Sequence, residues 1–279
     1  MYQDMQGASG VIDKQNCLIG LGHILAERGS ASYETSVGYR QALLDTSITQ
    51  DIAADLLLST SGRPHYKIHG RYYAPCAGDT SVFRLPSEFD EKAHLLRDRI
   101  IDEVGDLVVH DRYPDHFHVT LRGFGTMPVL EGNSDLVAVR AAHEPAFRKT
   151  LKAIMADESV SRSYYLQPHD IALLGKNSAI AVVIRHYPIS NGNASGLQRL
   201  FRAFDAVIEN GAKEPGPTWH TTLAYRLTKP LTSEEATRFA HLLMQLSKSA
   251  HELPAFELNL ADLVYWAFSN MDDFHEVTI

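Results

Sequence analysis

Apolar residues recur at Tyr39, Leu43, Leu44, Ile48, Ile52, Leu56 and Leu57, near the 3.6-residue period, and predict a helix over about Ser36 to Leu58. Ser59 to Arg63, followed by Pro64, breaks that pattern. From Tyr66 the texture changes. Thr80-Ser81-Val82-Phe83-Arg84-Leu85 reads as a strand ended by Pro86, and Ser87 is placed to cap the next helix. Glu88, Asp90 and Glu91 in its first turn suit the positive end of a helix dipole. Leu95, Leu96, Ile100 and Val104 carry the helix to Gly105. Strand-like runs at Leu107–His110 and Phe117–Phe124, then a helix from about Glu144 to Met155, complete a first set.

A second set repeats the theme. Ile171–Leu174 and Ala179–Ile184 read as neighbouring strands joined by the turn-like Gly175-Lys176-Asn177-Ser178. Leu197, Leu200, Phe201, Phe204 and Ile208 mark one face of a helix from about Ser195 to Glu209. Gly211–Pro217 is a loop leading into a strand from Thr218 to Leu227. A helix from about Ser233 to Leu246 and strands within Phe256–Phe268 close the chain. The expected class is α+β, with two related lobes around a shared cleft.

Composition narrows the options. The 279 residues are 44% hydrophobic and 22% charged, ordinary for a globular chain with a sizeable core. A net charge of -8 argues against a basic stripe that grips long nucleic acid, though not against a small nucleotide in a local site. Two cysteines, Cys17 and Cys76, do not make a disulfide framework. No signal-like N-terminus and no run of about 18 apolar residues is present, so a cytoplasmic protein without a membrane span is expected.

The chemistry concentrates in two places: Phe117-His118-Val119-Thr120-Leu121 and Trp219-His220-Thr221-Thr222-Leu223. Residues i and i+2 of a strand share a face, so His118 projects with Thr120, and His220 with Thr222, while their apolar neighbours project into core. With 14 histidines, roughly one His-x-Thr is expected by chance. Two in equivalent places of similar halves, 102 positions apart, are a stronger signal. Histidine titrates near neutrality, so one imidazole can take a proton while the other gives one. The threonine hydroxyls can hold phosphate oxygens. That scheme needs neither metal nor cofactor, and as a coupled pair it predicts a bell-shaped pH–rate profile.

These two elements resemble the defining pattern of the two-histidine (2H) phosphoesterase superfamily, and element order matches from about Tyr66 onward. The stretch Lys67–Leu85, with Pro75-Cys76-Ala77-Gly78-Asp79-Thr80, further looks like a branch catalogued as a domain of unknown function. The resemblance implies two pseudo-symmetric lobes of antiparallel sheet flanked by helices, with one His-x-Thr strand from each lobe at a central cleft. It implies hydrolysis of 2′,3′-cyclic phosphates, 2′-5′ linkages or RNA 3′ ends. His118 and His220 would be acid and base, Thr120 and Thr222 the phosphate-binding hydroxyls, and a small nucleotide or short oligonucleotide the partner. Residues 63–279 would form this bilobal domain; residues 1–62, without a counterpart in the minimal family, would be a helical N-terminal extension.

Other residues stay open. Arg122 continues the His118–Thr120 face by one step of two, either to reach phosphate or as a salt-bridged strand end. Arg226 lies further along the His220 face, and Tyr225 opposite it if the strand is regular. Tyr66, Tyr72, Tyr73, Tyr265 and Trp266 are candidates for a base-stacking ring. His110, Asp111, Asp115, His116 and His118 would suit a metal-dependent hydrolase, because His116 and His118 share a face. That reading leaves His220 and Thr222 without a role. A non-catalytic nucleotide-binding protein leaves the paired acid and base without use. Ser195 lacks the Gly-x-Ser-x-Gly spacing of a nucleophile elbow.

Overall fold

The computed structural model describes residues 18–19, 54, 57–58, 68–74, 76–109, 117–128, 136–174, 181–207, 219–270 and 273–276. Its strands are β1 (Leu18–Ile19), β2 (Ile68–His69), β3 (Tyr72–Tyr73), β4 (Cys76–Arg84), β5 (Val108–Val109), β6 (His118–Pro128), β7 (Ser163–Leu174), β8 (Ala181–Pro188), β9 (His220–Arg226), β10 (Phe256–Asn259), β11 (Leu263–Asn270) and β12 (Asp273–Glu276). The helices are α1 (Ser87–Val104), α2 (Leu136–Ala156), α3 (Asn191–Ala203) and α4 (Ser233–His251).

Two larger antiparallel sheets result, beside the two-stranded β2–β3 pair. The first runs β12-β11-β4-β6; the second runs β1-β7-β8-β9-β5, with β10 also paired to β7. The α+β, two-lobed expectation holds. β4-α1-β6-α2 is followed by β8-α3-β9-α4, the same order twice. The third strand of each sheet is exchanged: β7 follows α2 yet pairs with β8, and β11 follows α4 yet pairs with β4. Each lobe is therefore completed by chain from the other half.

Helical periodicity decides how the lobes are covered. α1 buries Phe89, Ala93, Leu96, Ile100 and Val104 on one stripe, and α4 buries Phe239, Leu242, Leu243 and Leu246. These join Val119 and Leu121 of β6 and Leu223 of β9 in one continuous core. At about 1.5–3 kcal/mol for each large side chain fully buried, that seam is the main force holding the two lobes together. The caps differ from the expectation at one point. Ser87 is the first helical residue of α1, and Pro86 occupies the cap without a side-chain bond; its carbonyl accepts from Phe89 and Asp90 N–H. α4 has a full capping box between Thr232 and Glu235.

The helix expected over 36–58 lies mostly outside the described residues. Within it, Ala54, Leu57 and Leu58 are helical, and Ala54 and Leu57 are buried in the main core. β1 pairs Leu18 with Leu174 and Ile19 with Leu173, so part of the 1–62 segment edges the second sheet. Among the described residues no helix is long and apolar enough to cross a membrane.

Candidate active site

The two histidine strands carry the same irregularity at the same place. In β6, Thr120 pairs with Val82 and Arg122 with Ser81, leaving Leu121 as an extra residue. In β9, Thr222 pairs with Val183 and Ala224 with Val182, leaving Leu223 as an extra residue. Each is a β-bulge that begins immediately after the His-x-Thr, 102 positions apart. Before the bulge, alternation is regular. His118 and Thr120, like His220 and Thr222, are partly exposed, while Val119, Leu121, Thr221 and Leu223 are buried. β6 ends the first sheet, and β9 runs against it. The histidines are close enough for the charge of His220 to act on His118.

Neighbouring strands set each histidine's surroundings. Trp266 of β11 meets the His118 ring edge-on at 4.9 Å between centroids, and Phe274 of β12 lies at 5.5 Å. His118 Nδ1 is buried without a hydrogen-bond partner among the described residues. Burial first, then the nearby charge of His220, push the His118 pKa from 6.5 down to about 3. That imidazole is neutral at physiological pH. Neither the Thr120 nor the Thr222 hydroxyl is taken by another described residue.

Arginines flank both histidines. Arg84 pairs in register with His118, and Arg185 with His220. Arg185 is buried and held in a two-point ion pair by Asp170, with Nε–Oδ1 at 2.7 Å and the second contact at 2.5 Å. Arg84 is half exposed and paired with Glu276 of β12. On the core side of β9, the His186 ring shares a 2.9 Å hydrogen bond with the Thr221 hydroxyl, and the His186 backbone N–H donates to the Trp219 carbonyl. His186 thus anchors the strand from behind, so that His220 and Thr222 project the other way. The sequence reading missed this residue; only the β8–β9 register brings it there.

The bulges correct two placements. Arg122 leaves the His118–Thr120 face: it pairs with Ser81, lies 4.4 Å from the Phe201 ring centroid and is ion-paired to Asp205 at 3.1 Å. It does not continue the His118–Thr120 row. Tyr225 moves the opposite way. It packs with Ala172, Ala181 and Val183, the neighbours of Thr222 on its own face, and meets Tyr73 edge-on. Arg226 is buried opposite Val108.

Among the aromatic candidates, Trp266 reaches the site while Tyr265 points into the core and donates to Asp79 Oδ2 at 2.5 Å. That carboxylate also contacts His143 Nδ1 at 2.6 Å. The Gly78-Asp79-Thr80 run is explained locally, because a Cβ on Gly78 would lie 2.2 Å from the Phe268 ring. Tyr72 is exposed on the β2–β3 hairpin. Tyr66, His110, Asp111, Asp115 and His116 lie outside the described residues, and among those described no group of three or more His, Cys, Asp or Glu is arranged to hold a metal.

No family profile matches the chain, and comparison with curated proteins finds no match. Among solved structures it is similar to a conserved protein of unknown function, ATU0111, from Agrobacterium tumefaciens str. C58. The identity is 13%, the TM-score 0.50, and the match covers 78% of this chain and 90% of that one. This shows a shared fold. It is also similar to Usb1 of Kluyveromyces marxianus, at 12% identity and TM-score 0.41, over 73% of this chain and 98% of that one. The same yeast protein with uridine monophosphate matches at 13% identity and TM-score 0.41, over 77% and 100%. At those scores the Usb1 likeness carries no inference for this chain.

Proposed function

We propose that this chain is a metal-independent phosphodiesterase of the two-histidine type, acting on a nucleotide or short RNA bearing a 2′,3′-cyclic phosphate or a related diester. The observation that carries the proposal is the repeated His-x-Thr-bulge unit, which brings His118 and His220 from different lobes within electrostatic reach. Two histidines on converging strands with two unclaimed hydroxyls beside them suit in-line attack at phosphorus.

In this reaction neutral His118 takes a proton from the attacking water through Nε2. The resulting oxygen nucleophile adds to phosphorus, and the bond to the departing ribose oxygen breaks as protonated His220 gives that oxygen its proton. Thr120 and Thr222 hydrogen-bond the non-bridging oxygens as negative charge builds on them. The depressed pKa of His118 argues against its being the acid, because a group titrating at about 3 holds no proton to donate at pH 7.

The test is a panel of 2′,3′-cyclic nucleotides, 2′-5′ dinucleotides and short 3′-ended RNAs, assayed with and without EDTA. Turnover that survives EDTA and vanishes in both His118→Ala and His220→Ala, with unchanged circular dichroism, is expected. Wild-type rates in either variant overturn the mechanism. Loss of wild-type activity in EDTA would favour a metal-dependent hydrolase. Burial also alters the pH profile expected from the sequence. The rising limb of kcat/KM, set by His118, moves from near neutrality to about pH 3.

A further inference from the structure

Internal repetition gives each histidine a laterally paired arginine, and the two arginines are used differently. Arg185, beside His220, is 3% exposed and clamped at two points by Asp170, which is itself buried. It is committed to the fold. Arg84, beside His118, has 48% of its side chain exposed, and one guanidinium nitrogen contacts Glu276, whose side chain is 36% exposed. Arg84 shares the face of His118 by register. Glu276 shares it too, since it pairs with Trp266, the residue packed against His118.

A guanidinium presents five donors in a planar fork suited to two-point contact with phosphate. With 48% of its side chain exposed, Arg84 stays accessible to solvent one strand away from the proposed base. An exposed ion pair of this kind adds little net stability and is readily exchanged for a ligand anion. Adjacent strands are about 4.8 Å apart, so a phosphate held at Arg84 sits within a nucleotide's length of one held at His118 and Thr120.

We propose that Arg84 is a second, non-catalytic phosphate-binding residue, screened in the free protein by Glu276, and that the preferred substrates carry a further phosphate next to the scissile one. The cleft then has a direction: the additional phosphate lies on the His118 side, because the equivalent arginine on the His220 side is already occupied. This rests on the phosphodiesterase reading, and its test separates the two.

The full chain is titrated calorimetrically at low ionic strength with adenosine 3′-monophosphate and with adenosine 3′,5′-bisphosphate, and the ratio of the two affinities is read. The wild type is expected to favour the bisphosphate by about tenfold, the value of one charge-assisted contact. In Arg84→Gln the ratio falls towards one. In Glu276→Gln, which keeps the shape and removes the competing charge, the ratio rises above wild type, and added salt collapses it in both wild type and Glu276→Gln. A wild-type ratio of one, a preference that survives Arg84→Gln, or a ratio lowered by Glu276→Gln overturns the proposal while leaving the phosphodiesterase reading in place. Failure of the wild type to bind either nucleotide counts against both.

Discussion

Replacing His186 with phenylalanine should make the protein less sensitive to mild acid. His186 is 3% exposed, packs against Phe89 and Phe256, and has no partner for Nδ1 among the described residues. Burial, and next the charge of His220, lower its pKa from 6.5 to about 3, against a smaller upward pull from Asp170. Below pH 6.5 the unfolded chain takes up a proton that the native side chain refuses until about pH 3. Stability present at neutral pH is therefore lost as the pH falls through that window. The slope is about 1.4 kcal/mol per pH unit, so going from pH 7 to pH 5 costs about 2 kcal/mol through this one side chain. His186→Phe removes the titration and also the bond to Thr221, but that second loss is the same at both pH values and cancels. Urea unfolding followed by the fluorescence of Trp219 and Trp266 gives the stability of each protein at pH 7 and pH 5. Wild type should lose about 2 kcal/mol more than the variant between those two pH values. Equal losses, within about 0.5 kcal/mol, would show that His186 is not held neutral and would refute the reasoning.

Three further outcomes follow from the geometry. Thr120→Ala and Thr222→Ala should each lower kcat by an amount up to about 3 kcal/mol in barrier, with little change in melting temperature; steady-state kinetics on the best diester substrate measures it. Gly78→Ala should destabilise by about 1–3 kcal/mol, because the new methyl would lie 2.2 Å from the Phe268 ring and 2.7 Å from the Gly125 carbonyl. Partial recovery in a Gly78→Ala, Phe268→Leu double variant, read by urea unfolding, would identify the ring as the obstacle. Asp170→Ala should cost about 3–5 kcal/mol by stripping buried Arg185 of its two-point partner, and Asp170→Leu with Arg185→Met should restore most of that.

Much of this fold was legible because its signals are local. Amphipathic spacing marked α1, α3 and α4, and alternation marked β6 and β9 with His118, Thr120, His220 and Thr222 on the exposed side. What stayed hidden depends on partners far away in sequence. A bulge is a two-against-one count between strands, and nothing within residues 117–124 announces that Leu121 is extra. Straight alternation therefore put Arg122 on the wrong face and Tyr225 on the wrong side of β9. Alternation also guarantees that Tyr265 and Trp266 face opposite ways, but only the pairing of β11 with β4 shows that Trp266 is the one beside His118. The partners of His186 and of Asp79 were hidden for the same reason: Thr221 and Tyr265 lie 35 and 186 positions away from them.

The bulges also bear on how a repeated unit yields two unlike histidines. Up to Thr120 and Thr222 the two strands are equivalent, and each histidine has an arginine across from it. The difference arises in what the exchanged strands deliver. β11 with β12 places Trp266 and Phe274 beside His118 and Glu276 on Arg84, while β7 places Asp170 on Arg185, the register partner of His220. One histidine acquires aromatic walls, which exclude water and disfavour its charged form; the other acquires a buried carboxylate–guanidinium pair nearby. Beyond the bulge the divergence continues, since the position matching Tyr225 is Gly123, where a Cβ would meet nothing within 4 Å. A coupled pair that shares one proton contains one protonated and one neutral member, and in the proposed mechanism it is the unlike surroundings that fix which histidine is which. In this molecule the duplicated strands supply the geometry, and the chain that completes each lobe supplies the asymmetry.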